Sequence, residues 1–489
     1  LLGIDIGTSA CKIAAFSKDG KAVAQSNVAY QVYYPNKGWA EQDADEWWNA
    51  IVQGIKEVLS DEKVDPSCIK GIGVDGQSWS AIPVDKEGNA LYRTPIWMDT
   101  RARDICDRVI KEVGEDEIFN VAGNTFLPSY STPKMLWFKE NLPDVFNKTY
   151  KFLQSNSYIV LKLTGNMSQD MSQGYGLHFF DCKKQEYDEA LANKLGLSTE
   201  LVPHLYECDE IVGKVTDEAA TLTGLKAGTP VVAGGLDAAC GTLGAGVYKP
   251  GQTQEQGGQA GGMSICTNKA LAHKALILSP HVVSGCWLLQ GGSVGGGGAL
   301  KWFRQEFGAD GSFDDLTAPA EIIAPGSDGV IFLPYMAGER SPIWDPDAKG
   351  VFYGLSFDKT KAHMVRAVME GVAFSLEHNM RTAKETGVEV TILNAMGGAA
   401  NSALWTQIKS DVTGLPIQVP QSDTATTLGA AILAGIATGI YESYGDAVEK
   451  TIHMTKSYKP NMENHEMYKK SMELYLELYK DLKDTFRRY

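Results

Sequence analysis

The sequence predicts an α/β protein of two large domains that flank a cleft, and three features support this. The chain has 489 residues, which exceeds the ~250–300 residues at which a single hydrophobic core usually stops growing. Predicted strands and helices alternate through both halves. A glycine-rich loop follows a strand in each half, which indicates an internal duplication. We expect domains at residues 1–246 and 247–489.

The first domain is predicted to begin with three consecutive antiparallel strands. They lie at Leu1–Asp5, Lys12–Phe16 and Ala22–Val28, and the turns between them are Gly7-Thr8-Ser9 and Asp19-Gly20. A helix follows at Ala44–Leu59, with Asp43 or Asp45 as its N-cap. A buried strand is expected at Ile69–Val74, and strands and helices then alternate up to Val231–Gly235.

The second domain is predicted to begin after a turn at Lys249-Pro250-Gly251, with a hairpin around Gly257–Gly262. The remaining elements follow from hydrophobic periodicity: helices at Ala299–Glu306, Lys361–Thr386 and Ser402–Thr413, and strands at Val330–Leu333, Val390–Met396 and Ile417–Val419. The last helix places Tyr468, Met472, Tyr475, Tyr479, Leu482 and Phe486 on one face. That spacing favours a packing helix.

Charge and composition narrow the function classes. The net charge is −15, and no Lys/Arg-rich run is present, so nucleic acid is an unexpected partner. The longest apolar runs are too short to cross a membrane. The eight cysteines are scattered without metal-site spacing, as in a reducing compartment, and we expect a cytoplasmic protein. An anionic chain that binds a polyphosphate must create positive potential locally, from backbone N–H groups and helix N-termini.

Three glycine-rich loops have this potential. The first, Asp5-Ile6-Gly7-Thr8-Ser9, could cradle a phosphate, with the carboxylate holding water or Mg²⁺, although similar turns occur in ordinary hairpins. The second is Gly257–Gly262, and two such loops facing each other across a cleft could hold one triphosphate. The third, Met396–Asn401, joins a strand to a helix, where a nucleoside could pack or where a tight connection could simply need small residues.

Asp237 lies just after the last strand of the first half, in Gly234-Gly235-Leu236-Asp237. Its position before a helix suits an N-cap. In a cleft between the halves, the same carboxylate could instead accept a proton from an attacking hydroxyl. The residues alone leave both interpretations open.

Two long motifs resemble the signatures of the FGGY carbohydrate kinases, which are members of the actin, hexokinase and Hsp70 superfamily with RNase H-like domains. The first is Ser129-Tyr130-Ser131-Thr132-Pro133-Lys134-Met135-Leu136-Trp137-Phe138-Lys139-Glu140-Asn141. The second is Gly350-Val351-Phe352-Tyr353-Gly354-Leu355, which continues through His363-Met364 and Ala367-Val368-Met369-Glu370. The resemblance runs end to end and is greatest to the xylulokinases. It implies an ATP-dependent sugar kinase that uses Mg²⁺, with sugar and ATP as its partners and a homodimer as the expected assembly.

The resemblance also implies roles for individual residues. Asp237 is identified as the catalytic base and as a metal ligand, with Asp5 near the metal through water. The phosphate-binding residues would be Gly7, Thr8, Ser9, Lys12, Gly258, Gln259, Ala260 and Gly261. The adenosine-binding residues would be Gly397, Gly398, Ala399 and Asn401. Glu339-Arg340-Ser341-Pro342 resembles a further family segment that shapes the cleft.

This chain departs from the family pattern at two places. Gln259 and Ala260 replace the threonine and serine that are usual in the second phosphate loop, so hydroxyl donors are lost and an amide is gained. Ser78 and Trp79, after Gln77, replace the Met and His of the xylulokinase substrate loop. Trp79 could stack on a sugar or pack in the core.

The segment Trp97-Met98-Asp99-Thr100-Arg101 matches the family. Asp99 and Arg101 are therefore predicted either to bind sugar hydroxyls or to brace the loop. The first choice of reaction is D-xylulose and ATP to D-xylulose 5-phosphate and ADP. Another ketose, a polyol, a sugar acid or a catalytically impaired sensor remain as alternatives.

Overall fold

The computed structural model describes residues 1–308, 311–421 and 424–488. Two seven-stranded mixed sheets form its centre. The first has the order β13-β14-β5-β1-β2-β3, with β15 also paired to β5, and the second has the order β18-β19-β17-β16-β22-β23-β24. The prediction of two α/β domains is confirmed.

The strands of the described residues are β1 Leu2–Ile6, β2 Ala10–Phe16, β3 Ala22–Ala29, β4 Glu41–Gln42, β5 Ile72–Gly76, β6 Ile82–Val84, β7 Thr94–Pro95, β8 Lys151–Leu153, β9 Gln169–Asp170, β10 Phe180–Asp181, β11 Glu186–Tyr187, β12 Leu205–Tyr206, β13 Ile211–Lys214, β14 Pro230–Val232, β15 Gly235–Leu236, β16 Gln252–Gly257, β17 Gly261–Thr267, β18 Ile277–Pro280, β19 Trp287–Ser293, β20 Ile331–Leu333, β21 Val351–Tyr353, β22 Ile392–Met396, β23 Ile417–Pro420 and β24 Met454–Tyr458.

The α-helices are α1 Ala44–Leu59, α2 Arg103–Val113, α3 Glu115–Ala122, α4 Ser131–Asn141, α5 Pro143–Lys148, α6 Ser155–Thr164, α7 Glu189–Lys194, α8 Asp217–Thr223, α9 Asp237–Gly244, α10 Gly297–Phe307, α11 Phe313–Thr317, α12 Lys361–Lys384, α13 Ala403–Thr413, α14 Ala425–Ala437, α15 Tyr444–Thr451 and α16 Met462–Phe486. The helix expected at Ala44–Leu59 has these bounds, and Asp43 is its N-cap.

The two sheets share one pattern of strand pairing. In the first, β1 pairs antiparallel with β2 and parallel with β5. In the second, β16 pairs antiparallel with β17 and parallel with β22. Each sheet thus has a tight hairpin beside a parallel pair at its centre, as expected for an internal duplication.

Helices α9 and α14 join the two halves. Helix α14 comes from the second half but packs on β1 and β5 of the first sheet. Gly73 permits this, because a Cβ there would lie 1.9 Å from the carbonyl oxygen of Ala430. Gly429 permits close packing of α14 on α9, since its Cβ would lie 1.9 Å from the carbonyl oxygen of Cys240. The cleft is therefore bounded by two helices in close backbone contact.

The second signature supports the C-terminal helix. Glu370 on α12 is buried and accepts hydrogen bonds from Arg366 Nε at 2.8 Å, Ser327 Oγ at 2.7 Å and Tyr468 Oη at 2.8 Å. Tyr468 and Tyr475 of α16 are buried against α12 and its neighbours. The last helix is thus a packing helix, as its periodicity predicted.

No helix in the described ranges is long and apolar enough to cross a membrane. All eight cysteines are free, and seven of them are buried.

Candidate active site

Three aspartates lie at the carboxyl ends of three adjacent parallel strands. The register of β1 and β5 places Asp5 beside Asp75. The register of β15 and β5 places Gly235 beside Asp75, so Asp237 lies two residues beyond it. Lys12 is opposite Asp5 on β2, and its Nζ lies 3.7 Å from Asp5 Oδ2. Ligands of open α/β sheets bind at this edge.

Burial raises the pKa of each of these carboxyl groups, and the charge of Asp5 adds to the effect on Asp75 and Asp237. Burial raises the pKa of Asp5, and the nearby Lys12 opposes the shift. Burial and the Asp5 charge raise the pKa of Asp75 well above its usual value. Burial, followed by the charge of Asp5, raises the pKa of Asp237 to about 7. A carboxyl group with this pKa is suited to accept a proton near neutral pH.

Asp237 begins helix α9 but does not cap it. The N-cap is Leu236, whose side chain cannot hydrogen-bond to the helix, and Asp237 is the first helical residue. One oxygen of Asp237, Oδ1, accepts a hydrogen bond from the N–H of Ala238 at 2.6 Å. The side chain is partly exposed, whereas Asp5 and Asp75 are buried. Among the three aspartates, Asp237 is therefore the one that a ligand can reach.

The turn after β1 has its carbonyl groups occupied and two of its N–H groups free. Tyr30 Oη donates to the carbonyl oxygen of Gly7 at 2.5 Å, and Gln42 Nε2 donates to that of Thr8 at 2.8 Å. Trp97 Nε1 holds Thr8 Oγ1 at 2.9 Å. The N–H groups of Thr8 and Ser9 donate to no acceptor in the described residues. This arrangement is suited to bind an anion.

The second loop, between β16 and β17, lies against the start of α10. The N–H groups of Gly297 and Gly298 donate to the carbonyl oxygens of Gly258 at 2.7 Å and Gln259 at 2.9 Å. The side-chain amide of Gln259 lies beside α10, because a Cβ on Gly298 would be 2.3 Å from Gln259 Nε2. Within the described ranges, the N–H groups of Gly258, Gln259 and Ala260 donate to no acceptor.

The predicted adenosine motif touches this second loop. Gly397 has a φ of 86°, and a Cβ on it would lie 2.8 Å from the carbonyl carbon of Gly257. Gly398 and Asn401 are exposed, whereas Ala399 is buried against Gly257. The structure thus brings the second phosphate loop and the adenosine motif together.

A cleft of about 950 Å³ opens beside them, between the two halves. Its walls include Gly397, Gly398 and Asn401 from the adenosine motif, and Asp19–Ala22, Gln25 and Gly241 from the first half. The predicted phosphate-binding residues and Asp237 are not part of its lining. The cleft therefore adjoins the three aspartates at Gly241, one turn along α9 from Asp237.

The predicted sugar loop has two buried polar atoms without partners. Gln77 Nε2 donates to Gln42 Oε1 at 2.7 Å, but Gln77 Oε1 has no partner in the described residues. Trp79 has a φ of 61° and stacks on Tyr130 with ring centroids 4.2 Å apart, and its Nε1 is likewise without a partner there. Ser78 Oγ accepts a hydrogen bond from Tyr175 Oη at 2.9 Å.

Asp99 and Arg101 bind each other and the loop. Asp99 is fully buried and accepts from the N–H of Ala40 at 2.7 Å and from Arg101 Nε at 2.9 Å and Nη2 at 2.8 Å. Arg101 also reaches Glu41 Oε1 at 2.7 Å, and its guanidinium stacks on Trp39 at 3.8 Å. These contacts favour the bracing role, although Arg101 Nη1 has no partner among the described residues.

Sequence reasoning missed Asp75 and Lys134. Asp75 repeats the pattern of Asp5, since both follow a glycine and an aliphatic residue at a strand end, and that repetition could have identified it. Lys134, in the first signature, is fully buried and donates to the carbonyl oxygens of Trp79 and Ile96, each at 2.8 Å. Burial lowers the pKa of Lys134 to about 7. Only the folded chain shows that this lysine holds both sugar-site loops.

The predicted Mg²⁺ would be held by carboxylate oxygens of this chain. No group of three or more His, Cys, Asp or Glu side chains in the described part of the chain has the geometry of a metal site. Mg²⁺ prefers oxygen ligands and usually keeps several waters. The carboxylates of Asp5 and Asp237, together with water and ATP phosphates, fit such a weakly held ion.

Comparisons with known proteins find similarity along nearly the whole chain. The chain matches two family models, "FGGY family of carbohydrate kinases, N-terminal domain" over residues 1–244 and the corresponding C-terminal domain over residues 263–438. It is 30% identical to the xylulose kinase of Bacillus subtilis over 486 residues, which cover 99% of this chain and 97% of that protein.

Two solved structures resemble the structure of this chain over nearly its whole length. The ligand-bound xylulose kinase from Lactobacillus acidophilus has a TM-score of 0.92 and 26% identity, covering 100% of this chain and 99% of its own. The gluconate kinase from the same organism has a TM-score of 0.92 and 27% identity, covering 98% and 97%. The similar proteins thus include kinases named for a ketose and for a sugar acid.

Proposed function

Because the chain belongs to the FGGY family of carbohydrate kinases and is thus a sugar phosphotransferase, we propose that it transfers the γ-phosphoryl group of ATP to a terminal hydroxyl of a ketose, with D-xylulose as the first choice. The observation that carries this proposal is Asp237, a reachable carboxyl group with its pKa raised to about 7. It begins helix α9 beside the aspartates that end β1 and β5.

In the proposed reaction, Asp237 orients the sugar hydroxyl and accepts its proton while the oxygen attacks the γ-phosphorus. The bond to the β,γ-bridging oxygen breaks, and ADP leaves. Free N–H groups of Thr8 and Ser9 on one side, and of Gly258–Ala260 on the other, donate to the phosphate oxygens. Lys12 adds a positive charge near Asp5.

Asp5, through water, and Asp237 would hold Mg²⁺, which neutralises negative charge on the phosphates when it is bound. The exposed backbone of Gly397 and Gly398, beside the cleft, would contact the nucleoside. On this proposal the adenosine extends from the second loop into the cleft. Of the other two predicted adenosine-binding residues, Asn401 faces the cleft and Ala399 does not.

The sugar would lie against Gln77, Ser78 and Trp79. The unpaired Gln77 Oε1 and Trp79 Nε1 supply one acceptor and one donor, which suits a hydroxylated chain. Stacking of Trp79 on Tyr130 leaves only the opposite ring face for a sugar. Asp99 and Arg101 would act by holding the neighbouring loop. A sugar acid is the second candidate, and the similarity to a gluconate kinase favours including it.

The decisive experiment is an ADP-release assay with D-xylulose, a second ketose, a polyol and gluconate, each with Mg²⁺ and ATP. Sugar-dependent ADP formation with D-xylulose as the best substrate is expected. If none of the four compounds leads to ADP formation but the protein binds nucleotide tightly, the result would instead support a sensor that has lost catalysis. Turnover of Asp237→Asn near that of the wild type would refute the assignment of the base.

A further inference from the structure

We propose that Arg340 is a further catalytic residue, whose guanidinium donates hydrogen bonds to the transferring phosphoryl group. This inference rests on the proposed kinase function and adds a residue to it. Gln259 and Ala260 leave the second phosphate loop without hydroxyl donors. On this proposal, Arg340 supplies the side-chain hydrogen bonds that such hydroxyl groups would otherwise donate.

The position of Arg340 follows from the register of the second sheet. Gln256 on β16 pairs with Gly262 on β17, and Gly262 pairs with Gly292 on β19. Paired residues point to the same face of a sheet, and Gln256 lines the cleft, so this face is the one that meets the first half. The guanidinium lies over Gly292, where a Cβ would be 3.3 Å from its Cζ. Arg340 is therefore one strand away from the end of the second phosphate loop.

The backbone on both sides of Arg340 is fixed to the edge of β19. Glu339 accepts hydrogen bonds from Ser293 Oγ and from the N–H of Val294, both at 2.7 Å. Ser341 Oγ accepts from the N–H of Gly292 at 2.6 Å. These bonds restrict the directions that the Arg340 side chain can take, as a catalytic group requires.

The adjacent Glu339 carboxylate acts on the charge of Arg340 electrostatically, but no short contact pairs with it among the described residues. The Arg340 guanidinium makes no hydrogen bond or ion pair with the residues that the structure describes, whereas Arg101 and Arg366 each pair with buried acids. The neighbouring carboxylate of Glu339 is occupied by Ser293, Val294 and the N–H of Arg340 itself. The side chain reaches solvent, although its surroundings desolvate it and lower the pKa of Arg340. On the face of the second sheet that meets the first half, in a chain with a net charge of −15, an arginine without a hydrogen-bonded partner is ready to bind an anion.

Phosphoryl transfer supplies that anion. As the γ-phosphoryl group leaves ADP and bonds to the sugar oxygen, its non-bridging oxygens carry the charge, and a planar guanidinium can donate two parallel hydrogen bonds to them. Gln259 cannot substitute in this geometry, since its amide lies beside Gly298 of α10. Arg340 keeps its proton throughout, so the balance of the reaction is unchanged.

The test uses Arg340→Gln, Arg340→Lys and Arg340→Ala, with Arg304→Gln as the matched control. Arg304 lies near the end of α10, and its guanidinium stacks on Phe313 of α11. For Arg340→Gln we expect kcat to fall about 10²–10³-fold, the magnitude seen when one oxyanion donor is removed. The sugar KM and the ADP affinity should change less than about threefold, since the contact forms with the transferring group. Lysine should restore part of kcat, and free guanidinium ion should raise kcat of Arg340→Ala but not of Asp237→Asn.

Two results would overturn the inference. The first is kcat of Arg340→Gln within about threefold of the wild type and of Arg304→Gln. The second is loss of activity towards gluconate alone with full activity on ketoses, which would show that Arg340 reads a substrate carboxylate. If the wild type forms no ADP with any sugar, the proposed function itself fails, and this is known before the variants are compared.

Discussion

The raised pKa of Asp237 predicts a specific dependence of turnover on pH. The base must be deprotonated to accept the hydroxyl proton, and burial together with Asp5 raises its pKa to about 7. At pH 6 about one molecule in eleven would carry the active carboxylate, and at pH 8 about ten in eleven. We therefore expect kcat/KM for the sugar to rise about tenfold between these values and to level off above them.

The assay measures initial rates of ADP formation from pH 5.5 to 8.5 in buffers of constant ionic strength, at saturating ATP and Mg²⁺. Asp237→Asn should lose about 10²–10⁴-fold in kcat and retain no acidic limb. A wild-type profile that is flat from pH 5.5 to 8 would refute the assignment, as would an acidic limb that persists in the residual activity of Asp237→Asn.

Thermal melting of the same variant separates loss of chemistry from loss of structure. The pKa of Asp237 is higher in the folded state than in the unfolded state. The free energy of unfolding therefore falls as the pH rises from the unfolded-state pKa to about 7. Replacing Asp237 by asparagine removes this unfavourable charge beside Asp5. The melting temperature at pH 8 should therefore equal or exceed that of the wild type, and a marked decrease would mean that the variant is misfolded.

Three further predictions concern the surrounding structure. Gly397→Ala should raise the ATP KM at least about tenfold, because the new Cβ would lie 2.8 Å from Gly257. Gly387→Ala is the control: this glycine has a similar φ but open space around it, so the ATP KM should stay unchanged. Trp79→Phe keeps the stacking on Tyr130 but loses the unpaired Nε1, so the sugar KM should rise about tenfold in steady-state assays with the ATP KM unaffected. Glu370→Gln breaks a buried ion pair, and denaturant unfolding should show a loss of about 3–5 kcal/mol.

Much of the fold could be predicted because its patterns are local. Helix α1 has a clear N-cap and an apolar stripe, and its predicted bounds are those of the structure. The strand expected at Ile69–Val74 instead spans Ile72–Gly76. A short helical turn at Pro66–Cys68 precedes it, so the chain becomes extended later than its apolar run suggests. This shift places Asp75 inside the strand and beside Asp5.

The candidate site was only partly predictable, since its chemistry depends on neighbours distant in sequence. The glycine loops and Asp237 follow from motifs. By contrast, the role of Lys134 depends on carbonyl groups of Trp79 and Ile96, which no spacing in the sequence connects. That the Arg340 guanidinium has no hydrogen bond or short ion pair within the described ranges is also a property of the folded chain alone. A lysine or arginine in a sequence does not show what it will face.

The two family signatures mostly support the surrounding structure rather than take part in the reaction, and this limits what they can predict. In the first signature, Lys134 and Ser131 Oγ bond to the carbonyl oxygens of Trp79 and Ser80, and Trp137 lies 4.7 Å from the guanidinium of Arg101. These contacts fix the backbone of the sugar loops without using the side chains that would touch a sugar. The same signature can therefore support different substrate loops, which agrees with the similarity to kinases named for both a ketose and a sugar acid. We therefore propose that the choice of sugar depends on Ser78 and Trp79, where this chain departs from the xylulokinase pattern.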